Sequence, residues 1–137
     1  MIFRALDEAT LVAGQIRPGD IAAAVAAGVT TIVNNRPDGE EPGQPAAGEI
    51  EAAARAAGLR YRDIPVTGGI APEQVAALCA IMEEGGGRLL LFCRSGTRSA
   101  YLWALALARR GVDGEAIIAR AAAAGFDLSA LRPHLLL

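Results

Sequence analysis

Short apolar runs alternate along this chain with longer stretches in which apolar residues recur every three or four positions. The first pattern predicts buried strands over 11–14, 29–34, 59–66 and 88–92. The second pattern, closed by glycines, predicts helices over 19–27, 46–57, 72–84, 99–110 and 114–124, and a last short helix within 126–137. Strands that alternate with helices indicate an α/β fold of three layers around a mostly parallel central sheet.

Three loops follow predicted strands and are candidates for a functional site. They cover 34–45, 67–71 and the residues directly after the strand at 88–92. Because ligands bind beyond the carboxyl ends of parallel strands, we expect these three loops to lie at one edge of the sheet.

Composition narrows the class of protein without identifying its chemistry. The 137 residues predict one domain over 1–137, and the net charge of −2 argues against a nucleic-acid partner. Acidic residues at positions 7 and 8 precede any apolar signal segment, and no run has the length of a membrane span. Two cysteines without an export signal predict the reducing cytoplasm. One histidine and two distant cysteines predict neither a metal site nor a cofactor.

The segment that begins at Cys93 carries the clearest chemistry. A cysteine ends a buried strand and is followed by a small-residue loop and a helix start. Backbone N–H groups in such a loop and at a helix N-terminus bind anions, and the helix dipole adds positive charge. This setting favours Cys93 as a thiolate nucleophile. The predicted anion-binding residues of the loop are Arg94, Ser95, Gly96, Thr97, Arg98 and Ser99, with Arg98 also assigned to catalysis.

Arg36 and Asp38, which follow the strand at 29–34, are predicted to bind the substrate anion as well. The alternative for this pair is a surface turn held by an Arg–Asp contact. Cys79 shares a helical face with apolar residues and is expected in the core, as is Trp103. His134 is far in sequence from Cys93, so we do not expect a catalytic role for it.

Several short motifs together resemble a known family. In chain order they are Gly14-Gln15, Asn34-Asn35-Arg36-Pro37-Asp38, Gln44-Pro45, Ile64-Pro65-Val66 and Cys93-Arg94-Ser95-Gly96-Thr97-Arg98-Ser99. This combination resembles the phosphatase-like domain family of bacterial beta-lactamase-hydrolase-like proteins. The resemblance implies a fold similar to dual-specificity phosphatases. Because some members are fused to metallo-hydrolase domains of sulfur metabolism, it also implies a functional link to a sulfur-metabolism hydrolase or oxidoreductase.

Phosphoester hydrolysis of the type found in cysteine phosphatases needs an arginine at a set distance from the cysteine and a general acid. This sequence departs from that pattern at both. The resembled superfamily places five residues between the cysteine and its arginine, whereas four residues separate Cys93 from Arg98 and Ser99 stands at the usual arginine position. A general acid is expected after Val66, where the loop has no carboxylate. The loop at 38–41 holds substitutes only if it folds over the site, and a missing acid typically costs about 10²–10⁴ in rate.

Sulfur transfer needs fewer parts, and the sequence therefore favours it. The loop is similar to the active loop of rhodanese-type sulfurtransferases, which implies a persulfide on Cys93 formed from an anionic donor such as thiosulfate or glutathione persulfide. Arg94 would attract that donor, and Arg98 would hold it or brace the loop. Cysteine phosphatase chemistry through a phosphocysteine on Cys93 is the alternative. A third hypothesis is a module that binds an anion or persulfide without turnover.

Overall fold

The computed structural model describes residues 3–136, which form the predicted three layers around one central sheet. The strands are β1 (Arg4–Ala5), β2 (Thr10–Ala13), β3 (Val29–Asn34), β4 (Arg60–Asp63) and β5 (Arg88–Phe92). The helices are α1 (Ile21–Ala26), α2 (Ala47–Ala56), α3 (Pro72–Glu84), α4 (Thr97–Arg109), α5 (Gly114–Ala123) and α6 (Arg132–Leu135). Short 3₁₀ turns precede α1 at Pro18–Asp20 and α6 at Ser129–Leu131.

The sheet has the order β1-β2-β5-β3-β4 and is parallel except at one edge. β2, β5, β3 and β4 pair in parallel, whereas β1 pairs antiparallel with β2, Arg4 opposite Val12. The two-residue β1 was not predicted, because two exposed residues are too few to show the hydrophobic alternation of a strand. The mostly parallel sheet is confirmed, and its carboxyl edge carries the loops after β2, β3, β4 and β5.

Alternation along β5 divides the apolar side chains between two cores. Leu90 and Phe92 pack on the side of α1 and α2, whereas Leu89 and Leu91 pack on the side of the remaining helices. All four are almost completely buried, as expected for a central strand covered on both faces. The next residue, Cys93, therefore ends a strand whose position is fixed from both faces.

Several element ends differ from the sequence predictions for local reasons. β4 ends at Asp63, before the predicted end at 66. Ile64 N–H and Val66 N–H still donate to the carbonyls of Asn34 and Asn35, and Pro65 between them has no N–H to donate. α4 begins at Thr97, two residues before the predicted start. Of the three leucines at 135–137, Leu135 is buried and Leu136 is exposed, and residue 137 lies outside the described residues. No helix of residues 3–136 has the length and apolar character needed to cross a membrane.

Candidate active site

Cys93 lies directly after the central strand β5, at the start of the loop that leads into α4. Its side chain is 1% exposed, and its Sγ accepts a hydrogen bond of 3.1 Å from the backbone N–H of Gly96. The first N–H groups of α4 follow within the same loop, and helix-start N–H groups have no partners inside their own helix. The Gly96 N–H is thus one backbone donor on the sulfur, of the kind that stabilises an anion.

Glycines fix the shape of this loop. Gly96 precedes α4 with φ +95°, a left-handed conformation, and a Cβ on it would lie 3.2 Å from the Phe126 ring. Gly14, after β2, lies so close to the loop that a Cβ on it would lie 2.9 Å from the carbonyl oxygen of Arg94. The neighbouring Gln15 N–H donates to that same oxygen at 3.2 Å. The Cys93 loop is thus held by backbone contacts from the residues that follow β2.

Arg98 connects the Cys93 loop with the two other loops at this edge. Its Nη1 donates to Glu40 Oε2 and to the Val66 carbonyl, both at 2.7 Å, and its Nη2 donates to Glu40 Oε1 at 2.8 Å. These bonds use three of the five N–H donors of a guanidinium. Arg98 also lies within reach of Cys93. The hydrogen bond to Glu40, aided by the negative charge that Cys93 can carry, raises the pKa of Arg98.

Arg36 forms the centre of an ion-pair cluster beneath this contact. It is 2% exposed, and its guanidinium donates to Glu40 Oε1 at 2.9 Å, to Glu41 Oε1 at 2.9 Å and to Gln15 Oε1 at 3.0 Å. The hydrogen bond from Arg98, and then that from Arg36, lowers the pKa of Glu40 from 4.5 to about 2. The hydrogen bond from Arg36 likewise lowers the pKa of Glu41.

Buried amides anchor the strand ends behind the site. Ser99 Oγ donates to Asn35 Oδ1 at 2.7 Å, and Asn35 Nδ2 donates to the Ile64 carbonyl at 2.9 Å. Asn34 Oδ1 accepts from the backbone N–H of Arg36. Both asparagines thus satisfy backbone and side-chain groups of the loops around them.

The structure separates the predicted loop residues into two groups. Arg94, Ser95 and Thr97 are exposed at the mouth of the loop, and Arg94 Nη2 lies 3.5 Å from Glu41 Oε2. Ser95 Oγ donates to Thr97 Oγ1 at 3.2 Å. In contrast, Ser99 is fully buried against Asn35, so its hydroxyl supports the loop and does not face an anion.

The predictions for Arg36 and Asp38 need correction. Arg36 is neither open to a substrate nor part of a surface turn, since two glutamates and Gln15 occupy its guanidinium. Asp38 Oδ1 accepts the backbone N–H of Ala47 at 2.8 Å, at the start of α2, and does not pair with Arg36. A carboxylate there satisfies one of the unpaired N–H groups of a helix N-terminus.

Sequence reasoning missed the roles of Gln15, Glu40 and Gln44. Gln15 links the loop after β2 to the loop after β3 through Arg36 and to the loop after β5 through Arg94. Gln44 Oε1 accepts from Glu40 N–H and its Nε2 donates to the Pro37 carbonyl, which closes the 36–45 loop on itself. Only the position of Gln15 in the sequence could have indicated its role, because it follows a strand that ends at the same sheet edge as β5 and Cys93.

The two residues predicted to lie in the core, Cys79 and Trp103, are found there. Trp103 Nε1 donates to Asp7 Oδ2 at 3.0 Å. Within residues 3–136, no group of three or more His, Cys, Asp or Glu side chains is arranged to hold a metal ion.

Comparison with protein families shows which family the chain belongs to. Residues 2–110 match the family model described as the phosphatase-like domain of beta-lactamase hydrolase-like protein. A beta-lactamase hydrolase-like protein of Agrobacterium fabrum is 39% identical over 107 residues, which cover 77% of this chain and 25% of that relative. One of Xylella fastidiosa is 36% identical over 128 residues, 90% of this chain and 29% of the relative. The chain thus spans about a quarter of the length of these relatives.

Solved structures agree with this result. A candidate phosphatase from Neisseria meningitidis superposes with a TM-score of 0.85 at 33% identity, over 98% of this chain and 96% of its own. Human DUSP28, at 20% identity, superposes with a TM-score of 0.71 over 98% of this chain and 92% of its own, which shows the shared fold. The fold is therefore that of the dual-specificity and tyrosine phosphatases, and the chain belongs to the phosphatase-like domain family of beta-lactamase hydrolase-like proteins.

Proposed function

We propose that this domain hydrolyses phosphate monoesters through a covalent phosphocysteine on Cys93. The observation that carries the proposal is the buried Cys93 sulfur with the Gly96 N–H bonded to it, at the start of a loop that also holds Arg98. Family membership and the likeness to candidate phosphatases support hydrolysis over the sulfur transfer favoured by the sequence.

Arg98 is suited to bind a phosphoryl group while Glu40 holds it. Glu40 and Val66 take three of its donors, and the two that those bonds do not use can form a fork toward two phosphoryl oxygens. Because the ion pair fixes the guanidinium, less side-chain freedom is lost when the anion binds. Glu40 therefore acts as a positioning residue for the Arg98 guanidinium.

The first step forms the covalent intermediate. The Cys93 thiolate attacks phosphorus, a sulfur–phosphorus bond forms, and the bond from phosphorus to the ester oxygen breaks with its electron pair on that oxygen. The N–H groups of the loop and Arg98 stabilise the charge on the three remaining phosphoryl oxygens. In the second step water attacks phosphorus, the thiolate leaves, and inorganic phosphate and one proton are released.

The state of the nearby carboxylates restricts the leaving group. Glu40 and Glu41 are both paired with arginines and held in the charged form, so neither carries a proton for the departing oxygen. A phenolate leaves without such help far more readily than an alkoxide, since phenols ionise near pH 10 (about the tyrosine value). We therefore infer that aryl phosphates are the preferred substrate class.

Sulfur transfer is the second candidate, favoured by the same charged carboxylates and by the short spacing of Cys93 and Arg98. In that reaction the thiolate attacks the outer sulfur of thiosulfate, the sulfur–sulfur bond breaks, and sulfite departs with the electron pair and needs no proton. The resulting persulfide then passes its outer sulfur to an acceptor thiolate. A module that only binds an anion or persulfide would load Cys93 once without turnover.

Hydrolysis of 4-nitrophenyl phosphate by the purified domain tests the proposal. We expect multiple turnovers for the native chain and a loss of at least about 10³-fold in Cys93→Ser, because the nucleophile is removed. Cys79→Ser is the matched control, since Cys79 is also buried but lies in α3 against Ala106, and it should retain turnover. Equal activity in Cys93→Ser and the native chain would refute the assignment.

A further inference from the structure

An apolar cleft of about 680 Å³ begins at Arg98 and runs away from Cys93. One wall is a single face of α4, where Arg98, Tyr101, Leu105, Ala108 and Arg109 follow one another at helical spacing. At 1.5 Å per residue this face extends for about 16 Å between the two arginines. The cleft is therefore an elongated groove whose near end is the candidate active site.

Two other segments close the groove. The loop after β4 and the start of α3 supply Val66, Ile70 and Val75, and the C-terminal segment supplies Leu131 and His134. The C-terminal wall lies beyond residues 2–110, which are the part matched by the family model. The groove is therefore formed partly by residues outside the region that the family model matches. Substrate specificity can differ there between relatives without a change in the chemistry at Cys93.

The charges of the groove lie at its two ends. Arg98 is at the near end, Arg109 and the exposed His134 are also in the lining, and no acidic side chain is among the lining residues of 3–136. Between the ends the walls are aliphatic, apart from the Tyr101 ring. An occupant that matches this pattern carries an anion at Arg98, an apolar body about as long as the α4 face, and a second anion near Arg109.

We propose that this groove binds the leaving group of the substrate, and that the substrate class is an elongated aryl phosphate with an apolar tail that ends in an anion. The phosphoryl group would lie between Cys93 and Arg98, the aromatic ring beside Tyr101, and the tail along Leu105 and Ala108. This substrate class rests on the proposed function. The groove and its charge pattern do not depend on turnover.

A series of 4-alkylphenyl phosphates with methyl, butyl and octyl tails tests the apolar body. The leaving-group acidity is nearly constant along the series, so chemistry is held fixed while buried length changes. Each buried methylene adds up to about fourfold in binding, and we expect kcat/KM to rise at least about tenfold from methyl to octyl. The matching 4-alkylbenzylphosphonates, which are not hydrolysed, should show the same trend in Kd by calorimetry.

Two variant pairs locate the effect. Ala108→Glu places a charge in the apolar part of the groove and should remove the length dependence, whereas the control Ala123→Glu, on an exposed face of α5, should keep it. A terminal carboxylate on the octyl tail should improve binding several-fold, a gain lost in Arg109→Gln and kept in Arg110→Gln, which lies outside the groove.

The outcomes separate the two proposals. Length-dependent phosphonate binding without turnover would contradict the phosphatase function and retain the groove as a binding site. Turnover with no length dependence, or a length dependence that Ala108→Glu leaves intact, would overturn the groove proposal and retain the phosphatase. Absence of both phosphonate binding and turnover would overturn both.

Discussion

Two loops meet over the candidate site, and they are held in different ways. The loop from Cys93 to Ser99 is fixed by backbone: the Gly96 N–H on sulfur, the Gln15 N–H on the Arg94 carbonyl, and the close approach of Gly14. The 36–45 loop is fixed by side chains, through Arg36, its glutamates and Gln44. The first loop holds Cys93, the proposed nucleophile, through backbone contacts, whereas the second loop is held by ion pairs that depend on pH and salt.

This contrast explains which parts of the chain perform which task. Backbone donors keep their positions at any pH, which suits the anion cradle that we propose. The ion pairs of the second loop set the direction of Arg98, and a charged brace of this kind weakens when its carboxylates take up protons. Changes to the first loop should therefore damage chemistry most, and changes to the second should act through Arg98 and through stability.

Among changes to the two loops, we expect the largest effect at Gly96. Gly96→Ala forces a side chain into a left-handed conformation, at about 1–2 kcal/mol, and brings its Cβ to 3.2 Å from Phe126. Because the N–H of this residue faces the sulfur, we expect kcat/KM to fall by about 10²-fold, measured with 4-nitrophenyl phosphate.

Gly111→Ala is the control for that variant. It has a similar φ of +89° but nothing within 4 Å of the added Cβ, and it lies at the end of α4 away from Cys93. It should lose comparable stability in denaturant unfolding and keep its turnover. If both variants lost the same fraction of activity, the special position of Gly96 would be refuted.

The brace is tested by Glu40→Gln. This variant removes the negative partner of Arg98 and one of the two carboxylates on the buried Arg36, so we expect kcat/KM to fall by about tenfold. Glu41→Gln leaves Arg98 paired and should have a smaller effect on turnover. An unchanged or faster Glu40→Gln would show that Glu40 competes with the substrate for Arg98 and does not position it.

Acid should weaken the protein through the same carboxylate. The pKa of Glu40 is about 2 in the folded chain against an ordinary 4.5, so between these values the unfolded chain binds more protons. The contribution of Glu40 to stability is therefore complete above about pH 4.5 and is lost as the pH falls toward 2. The difference in unfolding free energy between the native chain and Glu40→Gln, measured by denaturant titration, should shrink over this range. A constant difference would contradict the ion-pair account.

The smallest effect is expected at Asp38. Asp38→Ala removes the acceptor of the Ala47 N–H at the start of α2, which should cost about 1 kcal/mol in thermal or denaturant unfolding. Turnover should change less than about twofold, since the carboxylate does not face the site. Asp38→Asn keeps an acceptor and should recover most of the stability. A large loss of kcat/KM in Asp38→Ala would restore the substrate-binding role that the sequence suggested.

The same contrast between the loops shows what the sequence can predict. Cys93 and its loop were predicted because strand, glycine and helix start are local patterns with a direct physical meaning. The pairing of Arg36 with Glu40 and Glu41 was not predicted, since it depends on how a glycine-rich loop folds back and on Gln15, which is 21 residues away. The open groove also escaped prediction, because its walls come from three distant segments.

The proposed phosphatase reaction requires that the Cys93 sulfur accept a phosphoryl group. The most direct measurement is intact mass spectrometry of the native chain, quenched in acid within milliseconds of mixing with 4-nitrophenyl phosphate, followed by peptide mapping. We predict an added mass of one phosphoryl group on the peptide that contains Cys93, and none in Cys93→Ser. A parallel sample with thiosulfate that instead gained one sulfur on Cys93, while the phosphate sample stayed unmodified, would contradict the account and establish sulfur transfer.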